Sequence, residues 1–243
     1  MASIAVYSVK GGVGKTTFAV NLAWCSAQIS RRKTLLWDLD AANGAGFLLG
    51  IDPGKKHTAH SVFADGSDPA KLIQHSRYPG LDLLPADESL RTLDRQLDKL
   101  GKKKRLAKLV ERLAKDYDRI IFDCPPVLNA VSAQVMRAAD VVIVPLPPSP
   151  LSARAFETVV EEVRGAGKGH PPILPVLSMI DMRRSLHREA RAANPTWPVV
   201  PLASAIEQCA VERQPVGAFA PKSPAARAFA QLWTAIERKL ASK

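Results

Sequence analysis

Residues 11–17 read Gly-Gly-Val-Gly-Lys-Thr-Thr, with Lys10 directly before them. A run of this composition suits a polyphosphate. Glycines let consecutive backbone N–H groups converge on phosphate oxygens with no Cβ in the way. A helix starting at the run adds its positive N-terminal end. The general phosphate-loop pattern is GxxxxGK[ST]. Gly14, Lys15 and Thr16 fill its last three positions, and Lys10 stands where the pattern has its first glycine. In that chemistry Gly11, Gly12, Val13, Gly14 and Thr17 line the cradle, Lys15 neutralises the β and γ phosphates, and the Thr16 hydroxyl is offered to Mg2+. A glycine-rich turn that only caps a helix has a similar composition. A strand before the run and a helix after it favour the phosphate loop.

Carboxylates at two other places fit the same site. Asp38 and Asp40 lie in Trp-Asp-Leu-Asp at 37–40, and Asp123 ends Arg-Ile-Ile-Phe-Asp, before Cys124-Pro125-Pro126. Carboxylates at the C-terminal ends of parallel strands face the crevice where ligands bind. An isolated Asp-x-Asp is ordinary strand-end capping, and it gains meaning here from its company. Cys124 invites a nucleophile reading, but an apolar setting raises a thiol's pKa and makes it inert.

These residues need strands and helices to place them. Apolar runs at 4–9, 34–39, 81–85, 119–122, 141–145, 173–180 and 199–201 read as strands. Several are apolar at nearly every position, the pattern of strands covered on both faces in a parallel sheet. Helices are expected at 15–30, 88–100, 102–115, 130–139, 152–166, 184–193, 205–211 and 223–241. This alternation implies βαβ units and an α/β fold, a doubly wound, mostly parallel sheet flanked by helices. Residues 50–80, rich in Gly, Pro, His and Asp, read as a long excursion with one or two short helices inside one domain spanning 1–243.

The chain has 243 residues, 47% of them hydrophobic, and 34 Lys+Arg against 23 Asp+Glu give a net charge of +11. A domain of this size buries ~70–75% of its unfolded surface. Together with ordinary composition, that excludes disorder, collagen and a disulfide scaffold. Cys25, Cys124 and Cys209 are too scattered for a disulfide framework, and no Cys-x-x-Cys pair is present. They fit a reducing, cytoplasmic compartment. No apolar run approaches the ~18 residues of a spanning helix, and the N-terminus lacks the pattern of a secretion signal. The positive excess predicts attraction to polyanions, nucleic acid or acidic lipid, without choosing between them.

Lys-Gly-Gly-Val-Gly-Lys-Thr-Thr, led by Lys10, is the deviant form of the phosphate loop, and here the chain resembles the ParA/MinD family of dimeric P-loop ATPases. Trp-Asp-Leu-Asp at 37–40, Tyr-Asp-Arg-Ile-Ile-Phe-Asp-Cys-Pro-Pro at 117–126 and the segment 140–151 resemble its other motifs, in family order. The resemblance implies Mg2+-dependent hydrolysis of ATP, slow and stimulated by a partner protein. It implies that Lys10 reaches across an ATP-bound homodimer to the other chain's nucleotide, a cation in trans that acts as arginine fingers do. By the same match, Asp40 orients the attacking water, Asp38 sits near the Mg2+ water shell, and Asp123 holds Mg2+ directly or through water. Two segments depart from the family pattern. Ala41-Ala42-Asn43-Gly44 replaces Pro-Gln-Gly after the paired aspartates, and Asn129 replaces a glycine after the double proline.

The family divides by what the ATP-bound dimer holds. ParA-type members bind nonspecific double-stranded DNA and position plasmids, chromosomes or protein assemblies on the nucleoid. MinD-type members bind membrane through a C-terminal amphipathic helix. Others carry metal clusters and need cysteine pairs that this chain does not supply. A small-molecule ligase or kinase is a further class, and it would not need Lys10. Phe229, Leu232, Trp233, Ile236 and Leu240 fall on one helical face near the C-terminus. Such a stripe lies on a membrane or, more commonly, docks on its own core. The run from Asp181 to Arg191 resembles a ParA region and places Arg183, Arg184, Arg188 and Arg191 on or near one helix. Arginines so spaced engage successive phosphates without reading bases. Ala205 stands where the family has an arginine implicated in DNA binding, with Lys222 and Arg227 as compensating cations. Lys99, Lys102, Lys103, Lys104, Arg105 and Lys108 read as a solubilising helix surface, with an additional phosphate contact as the alternative. The resemblance therefore implies a partition-type ATPase, with a MinD-like membrane protein as the alternative.

Overall fold

The computed structural model describes residues 1–52, 68–90, 105–165 and 169–242. The strands are β1 (Ala2–Val6), β2 (Thr34–Asp38), β3 (Gln74–His75), β4 (Leu81–Leu84), β5 (Arg119–Asp123), β6 (Val141–Leu146), β7 (Ile173–Ile180) and β8 (Val199–Pro201). The helices are α1 (Lys15–Gln28), α2 (Gly44–Leu49), α3 (Arg105–Leu113), α4 (Ala130–Ala138), α5 (Pro150–Gly165), α6 (Ser185–Ala193), α7 (Ser204–Glu212), α8 (Val216–Phe219) and α9 (Pro224–Ala241).

One sheet runs in the order β3-β4-β2-β5-β1-β6-β7-β8. Every neighbouring pair is parallel except β3–β4. This is the expected doubly wound α/β fold. The seven expected strands are present, within three residues at each end. β1 stops at Val6 rather than at residue 9 because the chain there turns into the phosphate loop, although Tyr7 N–H still donates to Ile143 O at 3.0 Å. Residues 91–100 of the helix expected at 88–100 and residues 102–104 of the one expected at 102–115 lie outside the described residues.

Strand alternation builds two cores, one on each face. Ile4, Val6, Leu36, Ile121 and Ile143 point into a layer formed with α1, α2 and α7–α9. Ala5, Tyr7, Leu35, Trp37, Phe122 and Val142 meet α3, α4 and α5. The C-terminal helix is part of the first layer. Phe229, Leu232, Trp233 and Ile236 are buried there, and Phe229 meets Phe18 edge-to-face at 5.2 Å. Trp233 Nε1 donates to Ser30 Oγ at 2.7 Å, and Arg119 grips Glu237 through two bonds of 2.8 and 3.0 Å. The stripe that would insert into a lipid surface is spent on the core. Among the described residues no helix is long and apolar enough to cross a membrane.

Candidate nucleotide site

The register sets Val6 of β1 and Asp38 of β2 beside Asp123 of β5. The three strand ends are level, so the loops that follow them meet in one crevice. After β1, Gly12 (φ 71°) and Gly14 (φ 91°) adopt the left-handed conformation that a side chain resists, and α1 begins at the next residue. The bend thereby aims backbone N–H groups and the helix N-terminus at one point.

Lys15 opens α1 and is 8% exposed. Its Nζ donates to Lys10 O at 3.2 Å. Burial pushes its pKa down, while Asp123, Cys124 and Asp40 pull it back up. Asp123 is fully buried, and neither carboxylate oxygen has a hydrogen-bond partner. Burial pushes it well above the ordinary carboxylate range, and Asp38 and Asp40 add to the rise. The Thr16 hydroxyl and Lys15 oppose that rise without satisfying the carboxylate. A buried carboxylate with open oxygens, next to a threonine hydroxyl, fits a small hard cation with oxygen ligands. Thr16 and Asp123 would hold Mg2+ here.

Asp38 has a different occupation. Its Oδ1 accepts the Asp40 N–H at 2.9 Å, and its Oδ2 accepts the Ala45 N–H at 3.0 Å. Burial pushes its carboxyl up to about 7, against those two bonds. Asp38 thus pins the turn that carries Asp40 and starts α2. Asp40 itself is half-buried and accepts the Ala42 N–H at 3.1 Å. It opens onto a cleft of about 550 Å³ lined by Leu39, Ala42, Leu90, Pro126 and Leu128 among others. Cys124 is buried, its thiol pushed well up by desolvation, which bears out the inert reading.

Both departures from the family pattern have a local cause. Asn43 sits at φ 51°, ψ 41° directly before α2, a left-handed position where a glycine or an asparagine is the ordinary choice. Asn129 caps α4. Its Oδ1 accepts the Ser132 N–H and its own N–H donates to Ser132 Oγ, both at 2.9 Å. Tyr7 OH donates to Val127 O at 3.2 Å, tying the same loop to β1.

Lys10 is held by residues that sequence reasoning missed. Its Nζ donates to Ser152 Oγ at 3.0 Å and to Ser149 Oγ at 3.2 Å, at the start of α5. The Ser-x-x-Ser spacing after a strand and a proline was the available signal. On the other flank of the phosphate loop, a cavity of about 330 Å³ is lined by Gly14, Phe18, Met179, Pro201, Leu202 and Ile206.

The basic residues divide into two sets. Arg183, Arg184 and Arg188 crowd the turn into α6. Arg183 clamps Asp181 at 2.8 Å and holds that carboxyl down to about 2, so one negative charge stays inside the cluster. Arg188 braces the turn by donating to Arg183 O at 2.8 Å, and Arg191 donates back to Trp197 O at 2.8 Å. Buried His187, also missed, accepts the Asp181 N–H on Nδ1 at 3.0 Å and so positions the turn. Lys222 and Arg227 form a separate pair at the start of α9, joined by a guanidinium bond to Lys222 O. Of the other basic cluster, Lys99 and Lys102–Lys104 lie outside the described residues, Arg105 opens α3, and Lys108 is exposed.

Comparison with known proteins agrees with this geometry. The family model described as an AAA domain matches residues 1–171. The sporulation initiation inhibitor protein Soj of Bacillus subtilis is 31% identical over 189 residues, covering 75% of this chain and 74% of that one. The chromosome partitioning protein ParA of Caulobacter vibrioides is 32% identical over 194 residues, covering 76% and 72%. The solved structure of the septum site-determining protein MinD of Pyrococcus horikoshii, complexed with Mg-ADP, superposes with a TM-score of 0.81. It is 25% identical and covers 97% of this chain and 95% of that one. The chain belongs to the ParA/MinD family of P-loop ATPases, whose cofactors are ATP and Mg2+.

Proposed function

We propose that this chain is a partition-type ATPase whose ATP-bound homodimer holds double-stranded DNA without reading its sequence and positions a cargo by cycling on and off it. The observation that carries the reading is a pair of lysines around one glycine bend. Lys15 is buried with a backbone carbonyl for company, and Lys10 sits at the rim with no carboxylate among its contacts. One serves the chain's own triphosphate. The other, held by two serine hydroxyls, serves a second chain's.

Within a subunit, the amides of Gly11–Thr17 cradle the phosphates, and Lys15 turns from Lys10 O to the β and γ oxygens. The apolar cavity between Phe18, Met179 and Pro201 takes the base. Asp123 and Thr16 would hold Mg2+, which when bound would supply charge stabilisation to the transferring phosphoryl group. Asp38 keeps the Asp40 turn in register. Asp40 orients water in line with the γ-phosphate, and Lys10 from the partner subunit stabilises charge in the transition state. A partner protein then speeds hydrolysis and opens the dimer.

DNA is the favoured surface because the apolar stripe of α9 is buried in the core, whereas Arg183, Arg184 and Arg188 stand together on an exposed turn. The name of the Caulobacter relative, chromosome partitioning protein ParA, supports the partition role. Duplex-DNA binding measured with ATP, ADP and no nucleotide, across a salt series, tests it. Binding should require ATP and Mg2+, and should weaken about tenfold or more between 50 and 200 mM salt. Equal binding without nucleotide, or ATP-dependent sedimentation with anionic vesicles instead of DNA, overturns it.

A further inference from the structure

We propose that Arg213 is a positioning residue for hydrolysis, gripping the far end of α2 so that the near end of that helix holds the Asp40 turn in place beside Thr16. This rests on the reading of Asp40 above and adds what keeps that carboxylate aimed. The near end of α2 is built into the crevice. Asp38 holds the Ala45 N–H at 3.0 Å, and the Asn43 N–H donates to Asp40 O at 2.9 Å. A methyl group on Gly44 would stand 3.1 Å from Thr16 Cγ2 and 3.4 Å from its hydroxyl oxygen, so the backbone here comes close against the residue that would hold Mg2+. The inner face of α2 is anchored in the core by Ala45, Leu48 and Leu49.

The far end meets Arg213, the residue after α7. Its Nε donates to Phe47 O at 3.1 Å, its guanidinium lies 5.0 Å from the centre of the Phe47 ring, and its Nη2 donates to Asp52 Oδ1 at 3.1 Å. A cation suits this place, because the last carbonyls of a helix carry the negative end of its dipole. The Asp52 pair is exposed and adds little. The planar fork set on a carbonyl and a ring is the part that a lysine does not copy. The backbone points the same way. Arg213 sits at φ 51°, ψ 46°, a left-handed conformation in which glycine or asparagine is the ordinary choice at a helix end. An arginine there carries strain, and the contacts with α2 are what offset it. With six residues, α2 spans only about 9 Å. Close-packed side chains transmit a shift over such a length rather than absorb it. Loosening the far end therefore tilts the near end, and with it the Asp40 turn.

The test uses the full chain. Arg213→Gly relieves the left-handed backbone and removes the grip, so it separates folding from positioning. Its melting temperature should stay within about 3 °C of the wild type. Its Mg-ATP affinity by calorimetry should stay within about 3-fold while kcat falls about 10-fold, the pattern of a misplaced catalytic group. Without nucleotide, hydrogen exchange read by mass spectrometry should speed up about 10-fold in the peptide spanning 40–49, with the α1 peptide unchanged. Arg213→Lys should fall between the variant and the wild type. In an Asp40→Ala background, Arg213→Gly should slow the residual hydrolysis no further, because the arginine acts through that carboxylate. A variant that loses stability while each folded molecule keeps its kcat overturns the proposal, and so does unchanged exchange at 40–49, since both describe a residue that merely packs. A further loss of about 10-fold in the Asp40→Ala background overturns it as well. Hydrolysis at the wild-type rate in Asp40→Ala overturns the reading of Asp40 and the grip together. A slow Asp40→Ala beside a fully active Arg213→Gly overturns the grip alone.

Discussion

Lys15 and Asp123 carry opposite charges into a buried crevice, and each is left incompletely satisfied. For Lys15, replacing the ammonium with an amide of similar reach removes the charge and keeps the packing. Lys15→Gln should weaken Mg-ATP binding about 100-fold or more by calorimetry, the scale of a lost charge-assisted phosphate contact. Unchanged affinity would remove the phosphate-loop assignment. For the carboxylates the sign of the pH effect follows from burial. Asp38 is pushed up to about 7 and Asp123 is pushed well up, so the folded chain keeps protons that the unfolded chain gives away above pH ~4. Their contribution to stability is therefore complete below pH ~4 and is lost as pH rises toward and through 7. Without nucleotide, denaturant melts should show stability falling between pH 5 and pH 8, by at most about 1.4 kcal/mol per pH unit for each proton concerned. Asp123→Asn should flatten that slope; an unaltered slope in the variant would show that the buried pair does not set it. None of this was legible in the sequence. The motif pointed to Asp123 as a candidate Mg2+ ligand, but its orphaned oxygens, and the backbone bonds that occupy Asp38, depend on how three loops fold over each other.

The C-terminal helix shows at the level of an element what a periodic pattern settles and what it leaves open. The stripe of Phe229, Leu232, Trp233 and Ile236 gave the helix and its face, but not whether lipid or protein covers it. Contacts answer that: Phe18 meets Phe229, Ser30 receives the Trp233 indole bond, and Arg119 holds Glu237. Trp233→Ala should destabilise the chain by about 3–5 kcal/mol, read by denaturant titration. It should leave vesicle binding as it was, because the residue never reaches a lipid surface. A stable variant that loses vesicle association would reverse the assignment of this helix. Long strands such as β6 and β7, with six and eight residues that are apolar at nearly every position, were readable because such runs have few alternatives. β3, α8 and α2, with two, four and six residues, were missed because none spans enough turns or pleats to impose a period. Asn43 and Asn129 looked like departures in the string. In space they are a left-handed position and a helix cap, each filled by a residue that suits it.

For the molecule as a whole, the crevice is one-sided. Asp40 and Lys10 both lie at its rim, and the reading above asks a second copy to complete it. Asp40→Ala should then bind ATP, hydrolyse it at less than about one-hundredth of the wild-type rate, and accumulate as a dimer that survives gel filtration with Mg-ATP. Hydrolysis at the wild-type rate would move the water-orienting role elsewhere. Following such a cycle usually means first removing native thiols, and here the fold makes that unnecessary. Cys25, Cys124 and Cys209 are each at most 2% exposed, and burial lifts the Cys25 thiol to about 12 and raises the other two. A lone cysteine introduced at Leu151, 68% exposed between the serines that hold Lys10, would react with a maleimide dye far ahead of the native thiols. The wild-type background thus doubles as a clean canvas for fluorescence, ready to watch two subunits meet and part in real time.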